Sequence, residues 1–186
     1  KTMKRLLLLT LLLLGAGRVL AQGEYYDQRR SLFEVLPIRS SDIVFLGNSI
    51  TLHGPKDDIG WTGNWGMAAS SADKDYVHLV ANALARRTGA APQIRVSNIA
   101  DFERNYATYD VDGQMKDLFA FDPELVILAI GENVPPLNSA HAKAQFHAGV
   151  MNILRCALAK RHPLVVVRSC FWADPAKDEV LRQASQ

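Results

Sequence analysis

The stretch ELVILAIG, Glu124 to Gly131, decides the fold reading. Six apolar residues run without a polar interruption between Glu124 and a glycine. A strand with one wet face alternates apolar and polar residues, whereas a strand buried on both faces does not. Continuous runs of this kind belong to parallel sheets covered by helices on either side. Two shorter runs share the character, DIVFLG (Asp42 to Gly47) and PLVVVRSC (Pro163 to Cys170), and QIRVSNI (Gln93 to Ile99) reads as a further strand.

Helical patterns fill the gaps between these runs. DKDYVHLVANALARRTG places Val77, Val80 and Leu84 on one face and ends at Gly89. The stretch from 101 to 120 is mixed, with a helix expected around GQMKDLFAF. SAHAKAQFHAGVMNILRCALAKRH is a long helix with Phe146, Val150, Ile153, Leu154 and Ala157 inward. DPAKDEVLRQASQ opens another, with Asp174 as N-cap and Pro175 at its first position. Tyr26, Arg29, Leu32 and Phe33 also fall at helical spacing. Residues 52–72 read as a long loop rich in Gly, Trp and Ser, and so as either functional or poorly ordered. Alternating strand and helix predict an α/β domain with a mostly parallel sheet. In such sheets ligands sit at the carboxyl ends of strands, near a switch in strand order.

The amino terminus has a different character. KTMKR is basic, Leu6 to Leu14 is an apolar run, and Val19 and Ala21 stand at −3 and −1 of a cleavage site before Gln22. Residues 1–21 are therefore expected to be a signal peptide, with 22–186 as one domain. The apolar run is shorter than the roughly 20 residues that span a bilayer, so no stable membrane insertion is expected after cleavage. Export places the protein in the periplasm or outside the cell. Lys1, Lys4, Arg5 and Arg18 all lie in this leader, so its removal takes the formal net charge from +2 to −2. No basic patch remains to suggest nucleic acid, and a small molecule or a glycan is the expected partner. Cys156 and Cys170 are the only cysteines and read as two buried free thiols. No histidine pair has zinc-ligand spacing, so neither metal nor cofactor is expected.

Two of the strands end in residues that carry chemistry. Gly47-Asn48-Ser49 follows the first, where a glycine lets the chain turn sharply and a serine would stand at the carboxyl edge. A helix N-terminus after Ser49 would stabilise negative charge there. Gly131-Glu132-Asn133 ends the third run, where the Asn133 amide could donate to an oxyanion if the two strands are neighbours. Each has an ordinary alternative: Ser49 as a turn residue or helix cap, Asn133 as a cap before Pro135-Pro136.

FLGNSIT and LAIGEN, with VSN between them, resemble the blocks of the SGNH (GDSL-type) hydrolase superfamily over roughly residues 26–186. The resemblance implies a flavodoxin-like three-layer sandwich and a serine esterase. It makes Ser49 the nucleophile and Asn133 an oxyanion donor, and it matches Asn98 to the Asn that closes the second strand. Three positions depart from the pattern. Asn48 stands where Asp is usual. NIADFERN lacks the glycine whose N–H enters the oxyanion hole. By spacing the backbone of Glu103 falls there, with Gly66 as an alternative. The closing Asp-x-x-His, which supplies the base and its orienting carboxylate, does not occur after Asp174, Asp178 and Glu179.

Serine needs an adjacent base to act as a nucleophile. Asp75-Tyr76-Val77-His78 has the Asp-x-x-His spacing but lies in the first crossover, and His53 follows Ser49 by four residues. His141 and His147 read as solvated or core residues, and His162 as a cation at a helix end. The expectation is that the base belongs to a segment past Gln186, and that the present chain alone is nearly inactive. Trp61, Trp65 and Trp172 would rim the site, where aromatic faces could stack on sugar or pin the loop. The reading is then a short-chain ester hydrolase, with O-acetyl groups on carbohydrate as substrate. Its rivals are a degenerate module that binds glycan without hydrolysis, and an anion site at Gly47 to Ser49.

Overall fold

A computed structural model describes the backbone of Leu7–Leu8 and residues 42–186 apart from residue 161. The helix expected between residues 26 and 36 lies outside the described residues. So does the expected signal peptide, except for Leu7–Leu8.

Four strands form the body of one sheet: β2 (Asp42–Gly47), β3 (Gln93–Asn98), β4 (Leu125–Ala129) and β5 (Leu164–Val167). Every pairing is parallel, in the order β5-β4-β2-β3. A two-residue strand, β1 (Leu7–Leu8), runs beside Val166 and Val167 at the outer edge of β5. Among the four longer strands the path begins in the middle of the sheet at β2, steps to β3 on one side, and returns across β2 to β4 and β5. That order is compatible with a flavodoxin-like arrangement and puts the switch point between β2 and β4.

Among the described residues five α-helices cover the sheet: α1 (Tyr76–Thr88), α2 (Ala100–Asn105), α3 (Val111–Phe119), α4 (Ala140–Ala157) and α5 (Pro175–Ala184). Alternation along β2 divides the core. Ile43 and Phe45 pack with Val77 and Leu84 of α1 on one face. Val44 and Leu46 face the other side, with Phe102, Met115, Phe146, Val150, Ile153 and Leu181 from α2 to α5. All five residues of β4 are buried, which is why the run from Leu125 to Ala129 carries no polar position. Each fully buried side chain of this size contributes about 1.5–3 kcal/mol relative to exposure.

The expected cap at Asp174 and stop at Gly89 are present, and Asp75 and Ser139 cap two further helices. Asp75, Ser139 and Asp174 each accept a backbone N–H in the first turn of α1, α4 and α5, and Gly89 closes α1 in the left-handed conformation at φ 77°. Two segments differ from expectation. A six-residue helix, α2, precedes α3 within the mixed stretch. The long loop is organised rather than structureless: His53 bridges Trp65, Lys56 bridges Trp61, and 3-10 turns form at Asp57–Ile59 and Ala72–Lys74.

Candidate active site

Ser49 stands two residues past the pairing of Gly47 with Ala129 and Asn98, at the carboxyl edge of β2. Gly47 has no room for a side chain. A Cβ there would lie 1.8 Å from Thr51 Oγ1 and 2.7 Å from the Ala129 carbonyl oxygen. The turn closes because the Asn48 carbonyl accepts the N–H groups of Thr51 (2.9 Å) and Leu52 (3.0 Å), while Asn48 Oδ1 accepts that of Ile50 at 3.0 Å. This is a single turn and not the start of a helix; the next α-helix begins at Tyr76. The helix expected directly behind Ser49 is therefore not there, and the N–H groups of Ile50, Thr51 and Leu52 are spent on Asn48. Among the described residues neither the N–H nor the hydroxyl of Ser49 makes a hydrogen bond.

Asn48 is fully buried, and its amide nitrogen lies between two carboxylates. It donates to Glu103 Oε1 at 3.1 Å and to Glu132 Oε2 at 2.5 Å. Glu103 is also fully buried. Its Oε1 accepts the Gly131 N–H at 2.5 Å and its Oε2 accepts Asn133 Nδ2 at 2.6 Å. Arg104 Nη2 reaches Asn133 Oδ1 at 3.4 Å. Gly131 holds a φ of 133°, and a Cβ there would stand 2.3 Å from Cys170 Sγ, so this junction accepts only glycine.

Glu132 has its own cation. Arg168 Nη2 lies 2.9 Å from Oε1, with both side chains largely buried, and the Phe171 N–H donates to the same oxygen. Burial pushes the Glu132 carboxyl up. The Arg168 charge, the Phe171 N–H and the hydrogen bonds of Arg168 and Asn48 outweigh it and hold the group below its ordinary value.

The structure thus places Ser49 and Asn133 after adjacent strands, with Glu103 of α2 bonded to Asn48 and Asn133, but it corrects the part expected of Glu103. Its N–H donates to the Ile99 carbonyl at 3.3 Å at the start of α2, so it is not an open oxyanion donor; the carboxylate is what enters the site. The alternative, Gly66, is also engaged, donating to Asp75 Oδ2 at 3.2 Å. Asn98 ties the end of β3 to the serine loop through Nδ2 and the Leu52 carbonyl at 2.8 Å. The sequence pattern assigns no role to Glu132 or Arg168, although a carboxylate directly after a strand-ending glycine and an arginine closing an apolar run are the marks they leave.

Among the described histidines, His78 and Asp75 do form a pair, Nδ1 to Oδ1 at 2.7 Å, with Asp75 buried. His53 Nδ1 lies 2.6 Å from the Gly54 carbonyl. Neither is hydrogen-bonded to Ser49. Trp61 and Trp65 pack edge to face at 5.3 Å and spend their indole N–H groups on the carbonyls of His53 and Ala69, which pins the loop. Trp172 is 66% exposed beside Phe171, at a 5.0 Å ring separation. Both cysteines are free, Cys170 buried and Cys156 half-buried; burial raises the pKa of each thiol.

A cavity of about 280 Å³, lined by residues that include Lys116, Phe119, Pro123 and Cys156, opens at the amino end of β4, the opposite edge from Ser49. No helix among the described residues is long and apolar enough to cross a membrane. No protein-family model matches this sequence, and comparison with curated proteins finds no match.

Proposed function

We propose that this chain is an exported serine esterase of the SGNH type, which removes a short acyl group from an ester through an acyl-enzyme on Ser49. One observation carries the reading. Ser49 and Asn133 leave the carboxyl ends of neighbouring strands at the switch point, and the Ser49 N–H is uncommitted among the described residues. Asn133 uses one N–H of its amide on Glu103, so its second N–H and the Ser49 N–H together can receive a developing oxyanion.

In this reading Ser49 Oγ attacks the ester carbonyl and its proton passes to a histidine. The carbonyl oxygen becomes the oxyanion, which collapses to expel the alcohol as that histidine returns the proton. Water then repeats the sequence on the acyl-enzyme. The resemblance assigns the base to the histidine of an Asp-x-x-His segment; among the described residues no histidine is hydrogen-bonded to Ser49. The exposed Phe171–Trp172 pair, whose backbone is anchored on Glu132, supports a carbohydrate as the alcohol part, since an open indole face stacks on sugar.

The test uses the full-length gene product and a short-chain aryl ester. Ser49→Ala is expected to abolish turnover; equal rates in wild type and variant would remove the serine from the mechanism. Binding of an acetylated glycan with no release of acetate would favour the non-hydrolytic rival.

A further inference from the structure

The geometry points to Glu103 as a positioning residue that fixes which face of the Asn133 amide meets the substrate. This inference rests on the esterase reading and adds to it the part that decides whether Asn133 can act. An asparagine side chain has two ends of similar shape and opposite hydrogen-bonding sense. Turned one way, Asn133 offers N–H groups to an oxyanion; turned the other, it offers a carbonyl oxygen that repels one. Nothing in the local chain distinguishes the two.

Glu103 does. Every described partner of its carboxylate is a donor: the Gly131 N–H at 2.5 Å, Asn48 Nδ2 at 3.1 Å and Asn133 Nδ2 at 2.6 Å. A carboxylate acting only as acceptor requires nitrogen from Asn133, so the amide oxygen must turn away, where Arg104 Nη2 meets it at 3.4 Å. The group is fully buried, so water cannot substitute for a lost partner without a penalty. The same carboxylate also holds the Gly131 N–H, and thereby the backbone that delivers Asn133. Asn48 completes the arrangement, since an amide can donate to Glu103 and Glu132 where an aspartate could not. The two departures from the family pattern, Asn48 and Glu103, are on this account one coupled change.

Glu103→Gln is the test, made in the full-length gene product with a short-chain aryl ester. Glutamine must direct an N–H₂ either at Asn133 or at the Gly131 and Asn48 donors, and either choice sets donor against donor. The expected result is a fall in kcat of about 10- to 100-fold, short of the 10²–10³ typical when an oxyanion donor is removed outright, with KM changed less than about threefold. In parallel, the two side-chain amide protons of ¹⁵N-labelled Asn133 are expected to be widely separated in wild type and to converge in the variant. A structural role alone would lower the melting temperature without this convergence. Wild-type kcat in a folded Glu103→Gln protein whose Ser49→Ala counterpart is dead overturns the inference. Retained turnover in Ser49→Ala overturns the esterase reading instead, and the amide resonances still report on Glu103. If Glu103→Gln does not fold, Glu103→Asp carries the test. It keeps an acceptor-only group but withdraws it by one methylene, and a smaller fall in kcat supports the inference while an unchanged kcat overturns it.

Discussion

The amide nitrogen of Asn48 lies 3.1 Å from Glu103 Oε1, joining two fully buried residues that are 55 positions apart in sequence. The same nitrogen serves Glu132, so position 48 is the one neutral donor between two carboxylates. Asn48→Asp keeps the oxygen that accepts the Ile50 N–H but sets three carboxyl groups against one another. The expected cost is about 3 kcal/mol or more at pH 7. Like charges raise the pKa of the new carboxyl, so the variant loses stability relative to wild type as pH rises above the unfolded value of about 4. Urea unfolding at pH 4.5 and 7.5 checks this: the gap between the two proteins should be smaller at the lower pH, and an equal gap would contradict it.

Glu132 supplies a second pH dependence of opposite sign. Its folded pKa lies below the ordinary 4.5, so the unfolded chain takes up its proton first as pH falls. The stabilisation is complete above the ordinary value and is lost as pH drops through the folded one. Glu132→Gln should therefore flatten the loss of stability below pH 4.5. Arg168→Met, which leaves the carboxylate buried without its cation, should cost about 3–5 kcal/mol at pH 7. Both are read from denaturation midpoints across pH.

Gly47→Ala is expected to destabilise by about 1–3 kcal/mol through overpacking, because the added methyl meets a backbone oxygen as well as the Thr51 hydroxyl. Removing that hydroxyl with Thr51→Ala should recover only part of the loss, since the Ala129 carbonyl remains. Full recovery in the double variant would mean that the backbone moves freely at this turn.

Trp172→Ala tests the alcohol side of the substrate. The exposed indole touches nothing that an aryl acetate needs, so KM for that ester should hold. KM for an acetylated oligosaccharide should rise several-fold. An equal change for both substrates would point to damage at Glu132, through the anchored Phe171 N–H, and not to a lost stacking face.

The sheet was legible because burial on both faces leaves a continuous mark. LVILA in β4 and LVVV in β5 have no wet side, and the glycines at 47 and 89 stand where the backbone demands them. α2 left no such mark, since six residues give less than two turns of periodicity and its sequence includes the buried Glu103. The order imposed on residues 52–72 was also hidden, because it depends on Trp61 and Trp65 meeting each other and the backbone of the loop. For the site, strand endings located Ser49 and Asn133. Spacing assigned Glu103 by its backbone, whereas three donors from Asn48, Gly131 and Asn133 converge on its side chain. Such convergence crosses strands, and a linear pattern does not record it.

Asp75 links this site to the opposite face of the sheet. One of its oxygens receives the His78 N–H at the start of α1, and the other receives the N–H of Gly66. The next residue, Met67, donates to the Ser49 carbonyl at 2.8 Å. The first turn of α1 and the segment that backs the serine are thus fastened to one carboxylate and should open together. Slow exchange of the Gly66 and His78 amide hydrogens would then report a single event with a single free energy. The serine turn would inherit the protection of a helix that it does not belong to.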